Sequence, residues 1–394
     1  MAEPVLPKVA LLWSQFAAYH VDRCEAVARR LAGRAEVWAV EVATSSATYA
    51  WGPSGEVAGA QKVTLFPGRS YDDVSMGSRL WAQFKVLRRC KMVLIGIGYN
   101  EPDIIILAWL LRLWGVTVVL LCESKFDDSQ RSVGFELFKS LLLTPFNAAI
   151  VGAQRQMSYL RFLGFRRRRV LPGYDCVGLD RIRAQGGAEL APHGELYDAR
   201  HFIFVGRFVA KKNLFELLDG YADYVVQTGD SARRLILVGS GPDEVPLREH
   251  IVALGISHKV DFPGFLAAEA VSTLLARSLA LVLVSREEQW GLVVNEALAF
   301  GLPVITSTTV GSRDVLVRNL INGFVIETGS IKGIAHAMTS LSGDEHLWRR
   351  MVAASHQKAW LGDTERLADA VELLLDPAAE PAGSQMREFI KAMG

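Results

Sequence analysis

Two carboxylates, Glu288 and Glu296, stand with seven residues between them in Glu288-Gln289-Trp290-Gly291-Leu292-Val293-Val294-Asn295-Glu296. The apolar run Ala280–Val284 just before them reads as a buried strand, and a helical segment after them stops at Gly301-Leu302-Pro303. A second apolar run opens at Val304-Ile305, so the pair sits where a strand feeds a helix in a βαβ unit. Ligands of open α/β sheets bind outside the carboxyl ends of the strands. Glu288 falls on that loop, and Glu296 falls about one turn inside the helix, where the 3.6-residue period lets it face the same crevice.

A second chemical signal lies upstream. A strand ending at Gly206 is followed by Arg207, then by Lys211, Lys212 and Asn213 at a helix start. Cations beside a helix N-terminus suit a diphosphate, and a solvated basic loop is the alternative. Val238-Gly239-Ser240-Gly241-Pro242 is another strand-to-glycine turn. Pro242 and the missing third glycine argue against a dinucleotide fingerprint, while Gly239 allows a close backbone approach to a ligand. Residues 14–20, after the first strand, contain no glycine, so the N-terminal half lacks a phosphate turn of Rossmann type.

The elements that must position these residues alternate along the whole chain. Strands are expected at Val9–Trp13, Glu36–Val42, Val63–Phe66, Met92–Ile97, Thr117–Cys122 and Ala148–Val151. In the second half they are expected at Phe202–Val205, Leu235–Val238, Lys259–Phe262, Ala280–Val284 and Val304–Thr306. Helical patterns such as Val21–Leu31, Ser78–Arg89 and Asn213–Val226, the last with Asn213 as its cap, separate them. Such alternation specifies parallel sheets covered by helices. With 394 residues, two domains are expected, divided within the Gly-, Pro- and charge-rich stretch Pro172–Ala199. The boundaries drawn are 1–178, 179–362 and 363–394, the last a helical segment ending in a loose tail from Glu380 with a short helix near Met386–Met393.

Lys plus Arg number 43 against 42 Asp plus Glu, so no global field argues for nucleic acid. Cys24, Cys90, Cys122 and Cys176 are scattered without metal-ligand or redox spacing, as suits inert thiols in a reducing cytosol. Met1–Lys8 is too short and polar for a signal peptide. The apolar window Ile104–Leu121 is broken by Arg112 and Gly115, and is expected to be a buried helix, a glycine stop and a buried strand rather than a membrane span.

Three elements in order make Phe204–Ile326 resemble the nucleotide-sugar domain of the retaining glycosyltransferases of family 4: Val205-Gly206-Arg207 with Lys212 five residues beyond the arginine, Leu237–Pro242 followed by Val260–Gly264, and Glu288-x7-Glu296 leading into Ala297–Ile305. The resemblance implies the GT-B architecture: two Rossmann-like, doubly wound parallel-sheet domains facing a cleft, the first binding acceptor and the second donor, with residues 363–394 packing back on the first. It further implies that Arg207 and Lys212 grip the donor diphosphate, that Glu288 touches the transferred sugar and that Glu296 binds the ribose. The amides of Trp290, Gly291, Leu292 and Val293 would approach sugar and phosphate, Gly239 would approach the donor, and Phe265 the base. Val310-Gly311-Ser312-Arg313-Asp314 departs from the family's usual two glycines and glutamate. The donor expected is a UDP- or GDP-sugar, with no cofactor and no metal. Asp72-Asp73 and Asp127-Asp128 are adjacent pairs that solvated faces explain.

Parts of the first half, Tyr19-His20, Cys122-Glu123-Ser124 and Pro172-Gly173-Tyr174-Asp175, resemble a bacterial polysaccharide subgroup. Acceptor and catalytic candidates there are His20 and Glu123, with Gln15, Gly98-Tyr99-Asn100, Lys125, Asp127 and Asp128 nearby. His20 could equally begin a helix, whereas a carboxylate at a buried strand end such as Glu123 is costly without a task. The basic run Arg166-Arg167-Arg168-Arg169 beside Phe162, Leu163 and Phe165 could meet anionic lipid, with Trp81, Phe84, Lys85, Arg88 and Arg89 extending the patch, or be a solvated turn before a strand. The expected protein is a retaining, metal-independent transferase acting on a saccharide or lipid-linked acceptor, cytoplasmic or peripheral on the cytoplasmic face of the inner membrane. Its rivals are a nucleotide-sugar epimerase, a silent sugar-nucleotide-binding partner and, for want of a fingerprint least of all, an NAD-dependent oxidoreductase.

Overall fold

The computed structural model describes residues 6–47, 54–128 and 130–393. Met1–Val5, most of the stretch weighed as a signal peptide, and Gly394 lie outside the described residues. The chain divides into two compact units, Met1–Gly178 with Thr364–Gly394, and Leu179–Asp363.

The first unit runs β1 (Lys8–Trp13), α1 (Ala18–Arg30), β2 (Glu36–Ser45), β3 (Gln61–Ser70), α2 (Met76–Leu87) and β4 (Met92–Ile95). It continues through α3 (Pro102–Leu113), β5 (Thr117–Cys122), α4 (Val133–Leu142), β6 (Ala148–Val151), α5 (Gln154–Leu160) and β7 (Arg169–Pro172). Its seven strands lie in the order β3-β2-β1-β4-β5-β6-β7, with parallel pairing throughout. Val9–Leu12 and Val118–Leu120 are almost fully buried, as continuous apolar runs in a sheet covered on both faces must be.

The second unit holds α6 (Leu179–Gly186), β8 (His201–Val205), α7 (Leu214–Thr228), β9 (Leu235–Val238), α8 (Glu244–Ala253), β10 (Val260–Gly264) and α9 (Ala268–Ala276). It then runs through β11 (Ser278–Leu283), α10 (Val293–Ala299), β12 (Val304–Ser307), α11 (Arg313–Leu316), β13 (Gly323–Ile326), α12 (Ile331–Gly343) and α13 (Glu345–Ala359). Its sheet order is β10-β9-β8-β11-β12-β13, again parallel. The chain then returns to the first unit as α14 (Glu365–Leu375) and α15 (Glu380–Met393). Ala368 and Val371 of α14 are buried, as are Cys24 and Val27 of α1, which α14 contacts. A rim of charge borders that seam: Arg30 donates to Asp369 and, at 2.6 Å, to Glu365, and Arg34 pairs with Glu372.

Five details differ from the sequence expectation. α3, expected to be a buried helix, is buried along one side only and exposes Trp109, Leu110 and Leu113 on the other. β7 and β13 are additional strands, and both lie at sheet edges. The stretch Pro172–Ala199 contains α6. The tail from Glu380 is one continuous helix, with Met386, Phe389 and Met393 buried at the 3.6-residue period. Asn213 does not cap α7: its backbone is left-handed (φ 60) and its side chain makes no cap bond. Asparagine tolerates that region better than most residues.

Candidate functional site

Three loops at the carboxyl ends of β8, β9 and β10 are tied together by main-chain bonds. Gly206 donates to Val238 O at 3.0 Å, Phe208 to Ser240 O at 2.8 Å and Gly239 to Gly264 O at 2.9 Å. Gly239 has φ +139, and a Cβ there would fall 1.9 Å from the Gly206 carbonyl oxygen, so only glycine fits. Arg207 is exposed on the first of these loops. Phe265, 68% exposed, follows the last.

The loop after β11 brings the first glutamate to the lysine. The Lys212 ammonium meets the Glu288 carboxylate although 76 positions separate them, and both side chains are 13% exposed. Ser285 Oγ donates to the same Glu288 oxygen at 3.1 Å. Main-chain bonds fix this loop on two sides: Arg286 N–H to Lys211 O (2.8 Å), and Gly311 and Ser312 N–H to Glu288 and Trp290 O (3.1 Å each). Ser307 and Thr309 hydroxyls both donate to Ser285 O at 2.6 Å. The segment that departs from the family pattern therefore holds the Glu288 loop through its backbone.

Gly291 takes φ +91 as the chain turns into α10, and a Cβ there would come within 2.8 Å of Leu283. Leu292 and Val293 follow at the helix start, half-buried, and Glu296 lies half-buried in its first turn. The Trp290 indole is buried and donates to Asn295 Oδ1 at 2.9 Å, so the side chain anchors the loop whose amide is the sequence candidate. Two further residues shape the site. Asn213 donates to Val284 O (3.2 Å) and accepts from Arg286 Nε (3.0 Å), joining the lysine loop to the strand end that carries Glu288. Ser285 holds the glutamate itself. The sequence offered only a weak signal for either, a polar residue directly after a buried strand and an asparagine beside two lysines.

In the first unit His20 is buried in α1, and its Nδ1 accepts the Ala17 N–H at 3.0 Å. That bond puts the ring proton on Nε2. Burial and the charge of Arg23 hold the imidazole well below its usual range, so it is a neutral N–H donor that helps begin the helix. Glu123, half-buried after β5, faces Asp175. Burial, the Glu123 charge and a hydrogen bond to it push the Asp175 carboxyl well above the ordinary range, against the opposing pull of Arg23. Arg23 is fully buried, donates to Cys176 O at 3.1 Å and stacks on Tyr19 and Tyr174. Trp13 Nε1 donates to Tyr174 OH at 3.2 Å, completing a polar cluster at the ends of β1, β5 and β7. Gln15 is buried there, and Tyr99 OH donates to Ser124 Oγ at 3.4 Å.

Asp127 and Asp128 are not merely solvated: both pair with the buried Lys125, at 3.0 and 3.2 Å, and Asp127 also with Arg155. Among the described residues no group of three or more His, Cys, Asp or Glu is placed to hold a metal ion. The four-arginine run is also divided. Arg168 stacks on Phe165 and donates to Leu143 O and Phe146 O, and Arg169 in β7, although exposed, is tied to Leu373 O; Arg166 and Arg167 are exposed as well. Among the described residues no helix is long and apolar enough to cross a membrane.

Two units of parallel sheet and helix, with candidate groups at the carboxyl ends of the strands, define the GT-B class. The structure of Anabaena Alr3699/HepE, solved with UDP and also with UDP-glucose, aligns over 94% of this chain and 100% of that one, with a TM-score of 0.69 and 16% identity. Residues 189–358, within the second unit, match the family model "Glycosyl transferases group 1". The N-acetyl-alpha-D-glucosaminyl L-malate synthase of Bacillus anthracis is 32% identical over 149 residues, 38% of either chain. The lipopolysaccharide core biosynthesis glycosyltransferase LpsE of Rhizobium meliloti (strain 1021) is 28% identical over 196 residues, 50% of this chain and 54% of that protein. The chain thus spans between about two fifths and about half the length of these curated relatives.

Proposed function

We propose that the protein is a glycosyltransferase that moves a sugar from a UDP- or GDP-sugar to a saccharide acceptor, free or lipid-linked, in bacterial surface-polysaccharide or glycoconjugate synthesis. The observation that carries the reading is the convergence of Lys212 and Glu288 beside a glycine-closed loop that presents Arg207. The family-model match over residues 189–358 and the likeness to a fold solved with UDP and UDP-glucose support it.

The bond between the sugar's anomeric carbon and the diphosphate oxygen breaks, and its electron pair leaves on the diphosphate. Stabilising that growing negative charge is the main catalytic task, and Arg207 with Lys212 supplies two cations for it without calling on a metal. Glu288 contacts the sugar, Glu296 the ribose and Phe265 the base. An acceptor hydroxyl held by the first unit forms the new bond on the face the diphosphate leaves, with retention, and its proton passes to the departing phosphate oxygen. His20 orients the acceptor as a donor rather than as a base, because its Nε2 carries the proton. Glu123, paired with Asp175, is the acceptor-side carboxyl.

Calorimetric titration with UDP, GDP, ADP and dTDP, without and then with Mg²⁺, tests this. UDP or GDP should bind alone, with affinity unchanged by the metal. Free nucleoside diphosphate should accumulate from the matching sugar nucleotide only with acceptor present. Binding without release under any acceptor would leave a silent partner, interconverted sugar without release an epimerase, and no binding of any nucleotide would overturn the donor site.

A further inference from the structure

Helix α4 is built inside out. A surface helix of a soluble domain normally turns its charges to water. Here Glu136 and Lys139 are buried: Glu136 accepts from Tyr159 OH at 2.6 Å and from Lys139 at 3.1 Å, while Arg131 donates to Tyr159 OH at 2.9 Å. Burial raises the Glu136 carboxyl, but the bonds from Tyr159 and Lys139 outweigh it and hold the group below its usual range, so the inward polar set is a satisfied ion cluster. The outward face is apolar, with Leu137 63% and Leu141 67% exposed beside Val133, Phe135 and Phe138.

Helix α3 continues this surface. Right-handed crossovers place α3 and α4 on one face of the sheet, and Arg112 near the end of α3 donates to Thr144 O just beyond α4 at 2.5 Å. Its outward side carries Trp109, Leu110 and Leu113, with Trp114 following. The exposed charges of α2, α3 and α4 are basic, Lys85 and Arg112, and Arg89 follows α2. The acids on these helices, Asp103 and Glu136, are buried and paired. Arg88 and Arg112 lie 5.4 and 5.9 Å from the rings of Trp114 and Trp109.

We propose that the outer faces of α3 and α4 seat the protein on an anionic lipid bilayer. Apolar side chains enter the acyl boundary, tryptophans lie at the headgroup level, and the cations meet lipid phosphates, the arrangement of an interfacial helix. The basic sign of the exposed charges on α2, α3 and α4 matches anionic headgroups, and patches of this extent are rarely left to water. This surface is distinct from Arg166 and Arg167, and it does not rest on the sugar-transfer reading.

Flotation of the full chain with vesicles of equal parts phosphatidylglycerol and phosphatidylcholine tests it, against phosphatidylcholine alone. The wild type should float with the anionic vesicles and be released by salt. Leu137→Gln with Leu141→Gln should lower partitioning by at least about tenfold, the scale of two exposed leucines losing burial, with melting temperature and nucleotide affinity unchanged. Lys85→Ala with Arg89→Ala should cost about fivefold per cation. Failure of the wild type to float overturns the proposal, as does an α4 variant that floats normally. Loss confined to Arg166→Ser with Arg167→Ser would move the contact elsewhere. A concentration-dependent dimer abolished by the α4 substitutions, without flotation, would assign the face to a second copy and equally overturn it.

Discussion

Lys212 is engaged with Glu288, so in the proposed donor site a diphosphate would compete with an internal carboxylate. Replacing that carboxylate by its amide keeps the shape and removes the competitor. Glu288→Gln is therefore expected to bind UDP or GDP as tightly as the wild type or a few-fold tighter while losing nearly all transfer, which calorimetry and a product assay would read separately. Lys212→Ala should weaken nucleotide binding by roughly ten- to a hundredfold, the scale of a charge-assisted hydrogen bond. Wild-type affinity in that variant would refute the anion site. In the first unit, the native Asp175 carboxyl holds its proton well above the unfolded value of about 4. Over that window the native state binds more protons than the unfolded one, so its contribution to stability falls as pH rises from about 4 through the native pKa. Asp175→Asn, which ionises in neither state, should remove this slope, so its stability relative to the wild type should rise as pH increases from about 4. Denaturant titrations between about pH 4 and pH 8 would show it, and a variant with the wild-type slope would refute the shared proton.

At the scale of elements, strand ends carry the loops proposed to hold the donor, and Gly239 closes them. Gly239→Ala would drive a methyl group into the Gly206 carbonyl in a backbone region that side chains avoid. A cost of about 3 kcal/mol is expected, with a melting temperature lower by roughly 10 °C and weaker nucleotide binding. Differential scanning calorimetry of the variant checks this. Interior strands were legible in sequence because burial on both faces writes them as unbroken apolar runs, as in Val9–Leu12, Thr117–Cys122 and Ala280–Leu283. The two strands that escaped notice are edges, where that demand relaxes. β7 opens on arginine and ends on proline, which an edge tolerates, and β13 has only four residues. The second-unit candidates could be picked out because each follows a recognisable strand. What links them could not, since a contact such as Asn213 with Arg286 joins side chains 73 positions apart and depends on a left-handed turn that composition does not announce.

At the scale of the whole chain, the C-terminal helices return to cover the first unit. Asp369 is fully buried in α14, and its partners are Arg30 and Arg366. Arg30→Ala removes one of the two cations and should destabilise the first unit by about 3 kcal/mol, in the range for breaking a buried pair. Limited proteolysis should then cut 364–394 earlier than in the wild type, while the nucleotide affinity proposed for the second unit stays the same. Unchanged proteolysis would mean that Arg366 alone neutralises the carboxylate. The return of Thr364–Gly394 to the first unit also sets an order of assembly. The second unit is one uninterrupted stretch, complete once Asp363 has emerged, whereas the unit begun first lacks the cover for α1 until the last helices leave the ribosome. At about 5–20 residues per second, the α1 face waits tens of seconds for its own chain to return, and over that interval it is a natural client for a chaperone.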